Sequence, residues 1–275
     1  IAFLSAFVIG LLIHMPMMLQ DIANHDGLAS MYFDQNMITS GRWFLGIACG
    51  FSSYFTLPWV IGLLGLFWLS LTAVVLVEIL DIRRGSTVVL TSGLLVAFPA
   101  VASTFAYVFT LDGYMMGIFL AVLAVLLTQK FRYGYLAGGI SLAFSMGIYQ
   151  AYLPFAILLS LYSILCLLLA HGTGREKIKK AASYLGMGVW GVGLYYVLLQ
   201  ILLKIQGKEL ASYQGIDGMG NVIPKSIGDM IRHIYADFAS FTLWSGVVVS
   251  NLFSMCAVVV LILLILLVSL RLVWQ

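Results

Sequence analysis

Forty-two consecutive residues, Tyr133 to Gly174, contain no Asp, Glu, Lys or Arg. A single helix of that length would be a rod of roughly 60 Å, about twice the thickness of the hydrocarbon core of a bilayer. The segment must therefore fold back inside an apolar solvent. Its reversal fits Tyr149-Gln150-Ala151-Tyr152-Leu153-Pro154, where two tyrosines suit an interface and Pro154 starts the returning helix. Other stretches of the 275-residue chain are equally free of charge: 1–20, 43–77, 85–111, 113–129, 181–203 and 238–270. An ionised group at a helix centre costs about 2.5–3.5 kcal/mol on insertion scales, so these stretches mark the spans. With 62% hydrophobic and 9% charged residues, the chain has too few polar side chains to coat a water-soluble core.

The reading is an all-α, polytopic integral membrane bundle, one domain over 1–275. It has about eight transmembrane helices, near 1–19, 57–80, 86–109, 114–130, 134–149, 152–171, 181–205 and 244–270. Residues 41–55 are apolar but rich in Gly and Ser, which places them at or just inside the interface. From 229 to 242, Met230, Ile231, Ile234, Tyr235, Phe238 and Phe241 recur at helical spacing with Asp229, Arg232, His233 and Asp237 between them, the pattern of a surface helix. The chain opens without an initiator Met and stops just after a hydrophobic stretch, which points to a piece of a longer protein and against a cleaved signal peptide.

Alternate connections collect Arg83, Arg84, Lys130, Arg132, Arg175, Lys177, Lys179, Lys180 and Arg271, nine of the fourteen basic residues, on one side. The positive-inside tendency makes that side cytoplasmic. The other side holds eight of the eleven acidic residues and two long loops, about 20–56 and 206–243. Long polar loops on a rigid scaffold are where sites live. The net charge of +3 is too small and too dispersed to suggest nucleic acid. Cys49, Cys166 and Cys256 lack the spacing of a disulfide framework or a zinc site, and the four histidines lack metal-ligand spacing, so no metal is expected. His14, inside the first span, reads as a satisfied core histidine. Gly186-Met187-Gly188-Val189-Trp190-Gly191 satisfies G-x-G-x-x-G without a preceding strand, and reads as helix packing, as do Gly134 and Gly138.

The first external loop concentrates Asp21, His25, Asp26, Asp34 and Arg42 within about two dozen residues. Asp26 follows a histidine and precedes a glycine directly after the first span, a position that holds a carboxylate close to the membrane surface, as a general base requires. Arg42 offers a planar, bidentate grip on phosphate oxygens, or snorkels beside Trp43. Lys225, Arg232 and His233 form either a second phosphate shelf or a solvated helix face. Asp112, in a very short external turn with Tyr114, binds a sugar or ends a helix. Tyr149, Gln150 and Tyr152 supply stacking and hydrogen bonds to a sugar, or belong to an aromatic belt.

His25-Asp26, Gly41-Arg42-Trp43, Asp112-Gly113-Tyr114-Met115-Met116-Gly117-Ile118 and Gly147-Ile148-Tyr149-Gln150-Ala151-Tyr152, in this order and all external, resemble the bacterial membrane glucosyltransferases typified by type II O-antigen-modifying enzymes. The acidic first loop also resembles the wider C-type (GT-C) superfamily of multispanning glycosyltransferases. The likeness covers roughly the first 155 residues. It implies transfer of a sugar, glucose above all, from a polyprenyl-phosphate carrier in the membrane lipid to a hydroxyl of a cell-envelope glycan. The reaction would take place on the external face of the bacterial plasma membrane and need no cofactor. It further implies Asp26 as base, with Asp21, His25, Arg42, Asp112, Tyr114, Tyr149, Gln150, Lys225, Arg232 and His233 around the substrates. The rival is a lipid-linked-sugar flippase or transporter. Such proteins place ionisable groups at mid-membrane and carry inverted repeats, and this chain keeps its charges at span ends and has no evident repeat.

Overall fold

The computed structural model describes residues 1–20, 37–50, 52, 57–170, 172–211, 226–242 and 251–273, and every regular element among them is helical. A first compact unit contains α1 (Ala2–Leu19), the single-turn α2 (Leu45–Ala48), α3 (Pro58–Ile79), α4 (Gly85–Ala97), α5 (Pro99–Thr104), α6 (Leu111–Lys130), α7 (Gly134–Ile148), α8 (Leu153–Leu169) and α9 (Gly174–Gln206). A second unit contains α10 (Ile227–Thr242) and α11 (Leu252–Val273). Short 3-10 turns, Val108–Thr110 and Gln150–Tyr152, precede α6 and α8.

Five helical stretches, Ala2–Leu19, Pro58–Ile79, Val108–Lys130, Gln150–Leu169 and Gly174–Gln206, are long and apolar enough to cross a membrane. Gly85–Ala97, Gly134–Ile148 and Met255–Val268 are shorter apolar helices. Each predicted span thus meets an apolar helix, and the molecule is a helical membrane bundle. The amphipathic segment predicted over 229–242 is α10, with Ile227, Ile231, Ile234, Tyr235 and Phe238 exposed along one face.

One span departs from expectation. Residues 86–109 do not form one helix. Phe98 is extended (φ −61°, ψ 132°) before Pro99, whose ring disfavours a helical residue ahead of it and which has no N–H to give the preceding turn. The break frees carbonyls at the end of α4, and α1 answers it. His14, 2% exposed, donates from Nε2 to Val96 O at 2.9 Å and stacks on Phe105 with ring centroids 3.7 Å apart. Replacing His14 with Ala strands that carbonyl in an apolar setting, at a cost of about 1–3 kcal/mol. Thermal unfolding of the purified variant will begin at a lower temperature than wild type, and an unchanged Tm would contradict this account.

The bundle is built outward from α6, which packs against α3 on one side and α7 on the other, while α9 covers α7. The approach of α6 and α7 depends on missing side chains. A Cβ at Gly138 would lie 2.5 Å from Ala124 O and 2.6 Å from Thr128 Oγ1, and one at Gly134 would strike the Leu127 backbone. Two hydroxyls complete the seam, Ser141 Oγ donating to Leu120 O and Ser145 Oγ to Gly117 O, each at 2.7 Å. Small residues and interhelical hydrogen bonds stand in for the hydrophobic effect, which is weak between helices in lipid.

The two ends of this unit differ in charge. At one end Glu78 pairs with Lys130 and Arg83, and Arg83 also pairs with Asp81. These exposed pairs contribute little stability. Beside them Lys180 Nζ donates to Thr128 O (2.6 Å) and Gln129 O (2.8 Å), capping the carbonyl end of α6. At the opposite end lie residues 37–50, Ser52, the start of α6 and the turn between α7 and α8.

Candidate functional site

Residues 37–50 are folded by local turns and then fastened to the helix ends. Gly41 N donates to Ile38 O and Arg42 N to Met37 O. This turn carries Gly41 in the left-handed region, with φ +78°, and a Cβ there would lie 2.6 Å from the Tyr195 hydroxyl and even closer to the Gln150 amide. Phe44 N then donates to Gly147 O at the end of α7. Trp43 and Phe44 pack edge-on against Phe144, with centroids 5.3 and 4.7 Å away.

With Trp43 drawn toward α7, Arg42 turns to the tyrosines. Its guanidinium carbon sits 4.7 Å from the centre of the Tyr149 ring, and Nη1 donates to Tyr114 Oη at a long 3.5 Å. Tyr114 and Tyr149 lie 5.6 Å apart, and Tyr152 meets Tyr149 edge-on at 5.5 Å. Arg42, Tyr114 and Tyr149 are all half-buried. The arrangement is a cation held on an aromatic wall, with its planar face fixed and its charge at the rim of the bundle.

Asp112 stands at a helix end, as one of its two readings has it, and is buried there. It lies in the first turn of α6 and is 3% exposed. Its Oδ1 accepts from Ser52 Oγ at 2.5 Å and from Gly113 N at 2.9 Å, so the carboxylate ties Ser52 to a helix N-terminus, where negative charge is favoured. Cys49, buried beside it, donates from Sγ to Thr110 O at 3.6 Å. Burial, reinforced by the charge of Asp112, pushes the Cys49 thiol far above its ordinary range. It remains protonated at neutral pH and serves as packing.

Gln150 sits beneath the Arg42 turn. Its amide nitrogen donates to Ser40 O (3.0 Å) and to Tyr195 Oη (2.9 Å), and Tyr195 Oη donates in turn to Gly41 O (3.0 Å). Tyr195, from the middle of α9, escaped the sequence reading: a tyrosine inside an apolar stretch carries no mark that separates it from a belt or a core residue.

Beginning one residue after Tyr152, a cleft of about 650 Å³ opens between α7, α8 and α9. Leu153, Ile157, Leu161, Met187, Val189 and Val192 line it, and Ser160 and Tyr184 are its polar members. Gly188 and Gly193 also line it, and a Cβ at either would meet nothing within 4 Å, so of the G-x-G-x-x-G glycines Gly191, pressed on Gly139 and Leu142, packs tightly while Gly188 leaves space.

Of the sequence-predicted site residues, Arg42, Tyr114, Tyr149 and Gln150 converge, and Asp112 is buried against Ser52 and Cys49. Arg232 and His233 are exposed on α10 in the second unit. Asp21, His25, Asp26 and Lys225 lie outside the described residues. Among the described residues no three of His, Cys, Asp and Glu gather closely enough to hold a metal ion.

Comparison with curated proteins and with solved structures returned no match. A family model described as Glucosyl transferase GtrII matches residues 15–275. That match takes in nearly the whole chain, from the end of the first helix through the last, and the chain therefore belongs to the GtrII glucosyl transferase family as a helical membrane glycosyltransferase.

Proposed function

We propose that the protein transfers a sugar, glucose from its family, from a polyprenyl-phosphate carrier to a hydroxyl of a cell-envelope glycan on the external face of the bacterial plasma membrane. Asp26 removes the acceptor proton as the hydroxyl oxygen attacks the anomeric carbon. The bond from that carbon to the phosphate oxygen breaks, and polyprenyl phosphate departs with the electron pair, so the anomeric centre inverts. A phosphate leaving group requires no strong general acid, and a cation beside it stabilises the charge it gains.

The observation that carries this reading is Arg42 on its tyrosine wall. A guanidinium fixed at the rim of an apolar bundle, at the end away from Lys130 and Lys180, suits a phosphate whose lipid stays in the membrane. The cleft that begins at Leu153, one residue after Tyr152, offers an apolar surface for a lipid tail. Asp21 and His25 precede the base in sequence, Tyr114 and Tyr149 offer the sugar aromatic faces and hydroxyls, and Lys225, Arg232 and His233 furnish further cationic groups. The reaction as written calls on no metal and no cofactor.

The test is reconstitution of the purified protein in liposomes with polyprenyl-phosphate glucose and an envelope glycan. The expected result is a new glycosidic bond of inverted configuration. Movement of the lipid-linked sugar across the bilayer with no such bond would instead establish the flippase reading.

A further inference from the structure

We infer that Tyr195 and Gln150 are positioning residues for the donor phosphate, acting through the turn that carries Arg42. This rests on the reading of Arg42 as the phosphate grip. Two consecutive carbonyls, Ser40 O and Gly41 O, point into the bundle, where an unpaired carbonyl is costly. Their donors are Gln150 Nε2 for the first and Tyr195 Oη for the second, and the two donors are joined by the 2.9 Å bond from Gln150 to Tyr195. Both amide protons of Gln150 and the one hydroxyl proton of Tyr195 are spent on this chain of bonds. It ends one residue before Arg42.

The geometry gives the chain a purpose beyond packing. Tyr195 is 4% exposed and belongs to α9, whereas Gln150 belongs to the turn that follows α7, directly beside the Tyr149 ring under the guanidinium. The network therefore fixes the backbone of Arg42 and its aromatic platform to each other. Gly41 completes the device: a φ of +78° and the proximity of both side chains leave no room for a Cβ, so the backbone lies directly on its braces. Removing the Tyr195 hydroxyl leaves the ring in place but frees the turn to relax. The guanidinium then drifts from the position that the Tyr149 ring gives it.

The experiment uses the full chain in nanodiscs and compares equilibrium binding of farnesyl phosphate with that of farnesol, which shares the tail and lacks the phosphate. Tyr195→Phe and Gln150→Met should each weaken farnesyl phosphate binding about tenfold, the order expected for a stranded buried partner. Farnesol binding should not change. In an Arg42→Ala background, where the phosphate preference is already lost, neither substitution should weaken binding further. Gln150→Met attacks the chain from its other end and decides the matter if Tyr195→Phe does not fold. The inference is overturned if the two substitutions leave farnesyl phosphate affinity intact, if they weaken both ligands alike, or if their effect persists without Arg42. A phosphate preference that survives Arg42→Ala is a separate result, which removes the grip itself.

Discussion

Asp26→Asn will reduce sugar transfer by about 10²–10⁴-fold, the range over which a positioned general base contributes. Asparagine keeps the size and polarity of the side chain and takes away its capacity to accept the acceptor proton. The loss belongs in kcat, with the KM for the polyprenyl-phosphate sugar near its wild-type value, because the base acts on charge that develops only in the transition state. The measurement is the initial rate of glycosidic bond formation by purified protein, with Tm as the check on folding. A variant that turns over at the wild-type rate removes Asp26 from this role. Asp21 would then be the next carboxylate to replace, since it stands five residues earlier in the same loop.

Arg42→Ala will lower kcat/KM by about 10²-fold, and Arg42→Lys will fall between alanine and wild type. A hydrogen bond to a charged group contributes roughly 1.5–3 kcal/mol, and a guanidinium makes two in one plane. Lysine restores the charge but neither the fork nor the stacking over Tyr149, whose ring centre lies 4.7 Å from the guanidinium carbon. Titrating the donor in all three proteins gives the ranking. Equal activity in the alanine variant would leave Arg42 as an interfacial arginine and nothing more.

The spans were legible because lipid imposes one rule on a helix, the exclusion of charge, and that rule can be read along a chain. The hairpin between α7 and α8 followed from the same rule, since 42 uncharged residues cannot be one crossing. The break at Phe98–Pro99 was marked by its proline, yet a charge-free stretch from 85 to 111 hid it. Asp112 was legible as a helix-end residue and illegible as a buried one, because its partner Ser52 is sixty residues away. Tyr195 was hidden for the same reason: its bond to Gly41 O spans 154 residues. Within the site, what could be read were residue types suited to the chemistry, such as Arg42 and Tyr149. What could not were the long-range bonds that orient them.

The glycine seam between α6 and α7 bears on how the chain enters its membrane. α7 has fifteen residues, four of them glycine and two serine. Alone it is apolar but too short to settle comfortably across a bilayer. Only residues 131–133 separate it from the twenty-residue α6, whose carbonyls at Gly117 and Leu120 receive the α7 serines. The short helix thus leans on the long one for its place in the bilayer, and the pair is expected to insert as a single hairpin.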